Sequence, residues 1–65
     1  MTRPKQIRVD AGLAQHVAAT MAGVSPHTWK LFEANPEALS EPKRLACEAA
    51  VEKMADLARA KKAAA

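Results

Sequence analysis

Few side chains in this sequence have the types and spacing of a catalytic or metal site. The two histidines, His16 and His27, and the single cysteine, Cys47, do not have the spacing of a zinc site. The sequence contains no nucleophile paired with a base, no glycine-rich phosphate loop and no cluster of metal ligands. We therefore expect a protein that is not an enzyme and that carries no cofactor and no metal ion.

The pattern of residues 15–34 predicts two short helices that are joined by a tight turn. Small residues on the first helix permit a close approach of the second: Ala18, Ala19 and Ala22. Gly23 can take a positive φ without a steric penalty, so it is expected to end the first helix, and Val24 fills the corner. A close-packed pair that exposes the start of its second helix is a helix-turn-helix.

The second helix of this pair is predicted over residues 25–34. Ser25 is a good N-cap, and Pro26 is a good first residue because it has no N–H to leave unpaired. Trp29 and Phe32 follow at helical spacing and are expected to face inward. Three other side chains are left to face outward: Thr28, Lys30 and Leu31.

Residues 8–33, RVDAGLAQHVAATMAGVSPHTWKLFE, resemble the DNA-binding domain of the phage Cro and repressor (Xre-like) family. The positions that fall on the family pattern without a gap are Arg8, Gly12, Leu13, Gln15, Ala19, Gly23, Val24, Ser25, Thr28, Trp29 and Glu33. Ala14 departs from it by replacing a Ser or Thr cap, which weakens the helix start by ~1 kcal/mol. Ala18 replaces the usual Leu, which implies a tighter helix approach or compensation by Trp29.

The resemblance implies an all-α fold of the lambda-repressor type, a compact bundle of four to five short helices in one domain over residues 1–65. The implied partner is double-stranded DNA with a palindromic operator. A homodimer would place two recognition helices ~34 Å apart, in successive major grooves. The resemblance implies a bacterial or phage-encoded protein of the cytoplasm, associated with the nucleoid, with no membrane partner and no small-molecule ligand.

The resemblance also implies which side chains touch DNA. Base edges are nearest to Pro26, His27, Lys30 and Leu31, whereas Ser25, Thr28 and Gln15 lie nearer the phosphates. Lys30 can donate to guanine O6 and N7, or it can contact a phosphate without reading a base. His27 can bond a purine N7, or it is a surface residue without a role. Leu31 or Pro26 can touch a thymine methyl group.

Arg8 and Glu33 occupy the family positions of an arginine in the first helix and a glutamate at the end of the recognition helix. The resemblance implies that they form a salt bridge that holds these two helices together. The alternative is two solvated surface charges that contribute ~0–1 kcal/mol.

The chain has 65 residues, a formal net charge of +3 and a pI near 9.4, which permits nucleic-acid binding without proving it. Residues 1–32 carry four basic residues against one acidic residue, whereas residues 33–56 carry three against six. This polarity suits a protein that presents one face to a phosphate backbone. A single cysteine fits a reducing cytosol, and we expect no signal peptide and no membrane span.

The flanking segments complete the predicted bundle. A first helix is predicted over Thr2–Asp10 with Thr2 as its cap, and Leu39 is expected to enter the core from a short turn over residues 37–39. A long amphipathic helix should run from Pro42 to about Ala60, with residues 59–65 frayed. Its expected inward stripe is Leu45, Ala49 or Ala50, Met54 and Leu57, supplemented by Cys47, Val51 and Ala58. An acidic face is formed by Glu48, Glu52 and Asp56.

The leading hypothesis is a sequence-specific transcriptional regulator, a small repressor that occludes a promoter, with its own operator as one proposed target. Short phage and mobile-element members of the resembled family act in this way. One alternative is a protein-interaction module, an antitoxin or helical adaptor that uses Val17, Met21 and the C-terminal helix. Another is a DNA-bending or recombination accessory factor. Fold alone does not decide between them.

Overall fold

The computed structural model describes residues 3–64, and this part of the chain folds into helices without a strand. The elements in chain order are α1 (Arg3–Asp10), α2 (Gln15–Ala22), α3 (Pro26–Ala34), a 3₁₀ turn (Pro36–Ala38) and α4 (Glu41–Ala64). The prediction of an all-α fold is confirmed. Thr2, the predicted cap of the first helix, lies outside the described residues. No helix between residues 3 and 64 is long and apolar enough to cross a membrane.

The turn between α2 and α3 depends on the backbone of Gly23, which has φ 73° and ψ 29° in the left-handed region. The N–H of Gly23 donates to Thr20 O at 3.1 Å, and the N–H of Val24 donates to Ala19 O at 3.0 Å. These bonds satisfy carbonyls that the end of α2 would otherwise leave unpaired. Gly23 therefore ends the helix as the sequence predicts.

The starts of α2 and α3 differ in their caps. Ser25 caps α3, because its Oγ accepts a hydrogen bond from the N–H of Thr28 at 3.1 Å and Pro26 follows as the first helical residue. Ala14 gives α2 no side-chain cap, which agrees with the missing Ser or Thr. The position of α2 therefore depends on tertiary contacts.

The hydrophobic core lies where α2, α3 and α4 meet. Its buried members are Ala18, Ala19, Trp29, Phe32, Cys47, Ala50, Val51 and Met54. The rings of Trp29 and Phe32 are tilted by 45° with their centroids 5.2 Å apart, an arrangement that aromatic pairs favour. Ala18 is fully buried, so α2 presents only a methyl group at this position. Leu39 packs against the core from the segment after the 3₁₀ turn, as expected.

Helix α4 corrects three expectations. It is the long helix that the sequence predicts, but it begins at Glu41 and continues to Ala64, so residues 59–64 are helical rather than frayed. Residue 65 of the expected frayed tail lies outside the described residues. Leu45 and Leu57 remain 52% and 49% exposed, so their assignment to the inward stripe was wrong. Leu45 precedes Cys47 by two residues, or about 200° around the helix, so it lies on the opposite side from the buried line. The buried line of α4 therefore contains Cys47, Ala50, Val51 and Met54, with Ala49 exposed.

Replacing Gly23 tests the turn. We expect Gly23→Ala to cost about 1 kcal/mol, because an alanine is strained at this positive φ. No other atom lies within 4 Å of the position that a Cβ would occupy, so the loss would come from the backbone alone. A thermal melt followed by circular dichroism should show Tm lower by about 4–8 °C. Gly23→Asn is the control and should lose less, since asparagine tolerates this conformation. Equal Tm values for Gly23→Ala and wild type would contradict this account of the turn.

Candidate nucleic-acid interface

A buried carboxylate at the end of α3 joins the first three helices. The Glu33 side chain is 5% exposed and accepts hydrogen bonds from Arg8 Nε at 2.5 Å and Trp29 Nε1 at 2.7 Å. Gln15 Nε2 donates to its other oxygen at 3.0 Å. Arg8 also donates through Nη1 to Leu13 O at 2.9 Å, which attaches α1 to the segment before α2. One carboxylate therefore holds α1, α2 and α3 in register.

The ion pair between Arg8 and Glu33 is present, as the family resemblance implies, and the alternative of two solvated charges is wrong. Sequence reasoning missed two further donors to Glu33. The indole of Trp29 was detectable, since Trp29 and Glu33 are four residues apart and share a helix face. The amide of Gln15 was not detectable from the sequence, because it reaches Glu33 from another helix, 18 residues away in sequence.

The surroundings of Glu33 have opposing effects on its pKa. Burial alone raises the pKa of this carboxyl, but the hydrogen bonds from Arg8, Gln15 and Trp29 and the charge of Arg8 lower it. The lowering prevails, so Glu33 is ionised at neutral pH and its pKa lies below the usual value. The ion pair is therefore intact under ordinary conditions.

The first two turns of α3 expose the side chains for which the family resemblance implies base contacts. Pro26, His27, Lys30 and Leu31 are all exposed, and Leu31 is 39% accessible. Since Pro26 and Lys30, like His27 and Leu31, are four residues apart, the four share one side of the helix. The structure therefore brings these four predicted residues together on one surface, which we call the α3 face.

The side chains for which the resemblance implies phosphate contacts, those of Ser25, Thr28 and Gln15, already form hydrogen bonds within the chain. Thr28 is half-buried rather than outward-facing, and its hydroxyl oxygen accepts a hydrogen bond from Ser25 Oγ at 2.9 Å. Gln15 is half-buried and donates to Glu33. An amide NH₂ has two N–H groups, so one of them remains for an outside acceptor.

The other residues considered for chemistry are placed apart from the α3 face. Cys47 is fully buried in the core, where burial and the neighbouring charge of Glu48 raise the pKa of its thiol. Within residues 3–64, no three His, Cys, Asp or Glu side chains are grouped as metal ligands. Glu52 forms an exposed ion pair with Arg3 at 3.7 Å, of a kind that contributes ~0–1 kcal/mol.

Comparisons of this chain with protein-family models, with curated proteins and with solved structures found no match. The resemblance to the Cro and repressor family therefore stays a prediction that depends on the motif of residues 8–33.

Replacing Glu33 tests the buried cluster. Glu33→Gln should lower the free energy of unfolding at pH 7 by about 3 kcal/mol, because it leaves Arg8 buried without a counter-charge. Urea unfolding, followed by the emission of the single tryptophan, measures this loss. Glu48→Gln removes the same charge from an exposed site and should change stability by less than about 0.5 kcal/mol. Equal effects of the two substitutions would contradict a stabilising role for the cluster.

The pH dependence of unfolding gives a second test of Glu33. Its pKa is lower in the folded than in the unfolded chain, so ionisation stabilises the fold. This contribution is complete above the unfolded pKa, near 4.3, and is lost as the pH falls through the lower folded pKa. Wild-type stability should therefore fall in this acid range, and Glu33→Gln should lack that part of the decline. Parallel curves of unfolding free energy against pH for wild type and Glu33→Gln would contradict the assignment of this acid loss to Glu33.

Proposed function

We propose that this protein is a sequence-specific DNA-binding regulator that represses transcription by occluding a promoter. The observation that carries the proposal is the exposed α3 face, with His27 and Lys30, on a helix whose inward side is fixed by Trp29 and the buried Glu33. A binding site on a rigid helix is more precise than one on a loop. The Glu33 cluster supplies that rigidity.

The dimensions of α3 suit the major groove. An α-helix with its side chains is about 10–12 Å in diameter, and the groove of B-DNA is about 12 Å wide and admits an α-helix. Lys30 would donate to guanine O6 and N7, and His27 would bond a purine N7. Leu31 or Pro26 would contact a thymine methyl group. A homodimer would present two α3 helices to a symmetric operator.

The distribution of charge supports the same orientation. Lys30 lies on the α3 face and has no ion-pair partner among residues 3–64. The exposed carboxylates of Glu48 and Glu52 lie on α4, and Glu33 is buried and paired. Phosphates repel carboxylates, so the acidic surface of α4 would face away from the DNA.

A protein-interaction module is the second candidate, and it is favoured by large apolar side chains that remain exposed. Leu45 and Leu57 on α4 and Val17 on α2 are between 36% and 52% accessible. Met21, which the sequence also suggested for a partner surface, packs against the core and is half-buried. An antitoxin or adaptor would bind its protein partner with little dependence on salt or on Lys30. A DNA-bending factor would instead use the α3 face and bend the duplex.

Selection of duplexes from a random pool, followed by fluorescence anisotropy with competitor DNA, tests the proposal. We expect enrichment of a symmetric site and binding that weakens log-linearly with salt. Failure to enrich any sequence would reject a sequence-specific regulator and favour the interaction module. A large bend in the selected site, measured by energy transfer between its ends, would favour the bending factor.

Replacing Lys30 tests whether the α3 face reads bases. Lys30→Ala should keep the fold and weaken binding to the selected site by about 1–3 kcal/mol, with a smaller loss on random duplex. Lys53→Ala removes the same charge from an exposed position on α4 and should change the preference for the selected site little. Equal losses on selected and random DNA would reduce Lys30 to a phosphate contact.

A further inference from the structure

The C-terminal end of α4 lies against the turn between α1 and α2. Lys61 Nζ is 2.8 Å from the point that a Cβ on Gly12 would occupy, so its ammonium group lies directly beside the turn. Gly12 is three residues before Gln15, the first residue of α2. Three residues span at most about 11 Å, so Lys61 lies close to the start of α2.

The start of α2 is joined in turn to the end of α3. Gln15 Nε2 donates to Glu33 at 3.0 Å, and Glu33 lies in the last turn of α3. A continuous set of contacts therefore connects the end of α4, through Gly12 and Gln15, to the end of α3.

The same end of α4 forms a basic groove with the end of α1. The groove has a volume of about 470 Å³ and is lined by Asp10, Ala58, Arg59, Lys61 and Lys62. Arg59 is paired with Asp56, and Asp10 accepts a hydrogen bond from Gln6 Nε2 at 2.8 Å. Lys61 and Lys62 have no ion-pair partner among residues 3–64. These two ammonium groups are therefore the free positive charges of the groove.

We propose that Lys61 and Lys62 bind the phosphate backbone of the duplex whose major groove α3 enters, an inference that rests on the proposed function. The start of α2 has no side-chain cap, so its first backbone N–H groups are open to an anion such as a phosphate. Lys61 lies close to this helix start, so the basic groove and the N–H groups of α2 can contact the same stretch of phosphate backbone. A phosphate supplies the anion that the two lysines lack within the described chain.

Backbone contacts of this kind have a specific signature. Each phosphate neutralised by a lysine adds about 0.9 to the slope of log K against log salt concentration. The double variant Lys61→Ala/Lys62→Ala should therefore reduce the magnitude of this slope by about 2, and weaken binding in 0.1 M salt by about 10- to 60-fold. The loss should be equal on selected and random duplexes, because phosphates carry no sequence information.

The experiment compares three full-length double variants by anisotropy at several salt concentrations, with circular dichroism to verify that each is folded. Lys43→Ala/Lys53→Ala removes two exposed charges from α4 outside the groove, and is expected to keep most of the wild-type slope. Lys61→Arg/Lys62→Arg retains both charges, and is expected to keep the whole of the wild-type slope of log K against log salt concentration.

The slopes of these variants decide whether the backbone contact exists. A wild-type slope in the Lys61→Ala/Lys62→Ala variant, or an equal loss in the Lys43→Ala/Lys53→Ala control, would overturn the proposal. If Lys30→Ala loses sequence preference while the Lys61/Lys62 variant binds as wild type does, only the backbone contact fails and the regulator stands. If the wild type binds no duplex, both proposals fall together.

Discussion

The fold depends on satisfying one buried charge. A carboxylate with the exposure of Glu33 costs several kcal/mol to remove from water unless it is paired and hydrogen-bonded. Donors from α1, α2 and α3 provide that compensation together, so none of these helices can shift without leaving a donor or an acceptor unpaired. In a chain of 65 residues with one tryptophan and one phenylalanine, such a polar constraint complements a small apolar core.

This constraint divides α3 into two sides with different roles. Trp29, Phe32 and Glu33 face the interior, where Trp29 belongs both to the core and to the polar cluster. His27 and Lys30 face outward and make no contribution to the core. Substitutions on the outward side can therefore alter recognition without unfolding the domain, which is the property that the proposed regulator requires.

Local signals in the sequence predicted the turn and the helix ends beside it, whereas a contact between distant residues was predicted only where the family resemblance implied it, as for Arg8 and Glu33. The bounds of α2 and α3 follow from Gly23 and Ser25, whose effects on the backbone act within a few residues. Helical spacing correctly placed Lys30 and Leu31 on the outside of α3 but wrongly placed Thr28 there, and the roles of the α3 face came from the family resemblance. The buried stripe of α4 was misassigned because apolar residue type alone favoured Leu45 and Leu57. In the structure, the side of α4 that packs against the other helices carries Cys47, Ala50 and Val51 instead. The contact of Lys61 with the turn at Gly12 joins distant parts of the chain, so no local pattern could predict it.

Helix α4 carries charges of both signs at positions that suit different tasks. Its first half exposes Glu48 and Glu52, and its last turns carry Lys61 and Lys62 near the start of α2. Lysines in the last turn also stabilise the helix by opposing its dipole, which helps to explain why α4 extends to Ala64. Exposed charges separated by more than about 8 Å are screened at physiological salt, so the acidic half has little effect on the basic end. In the proposed regulator, sequence preference would then belong to α3 and backbone affinity to the end of α4, and each could change without the other.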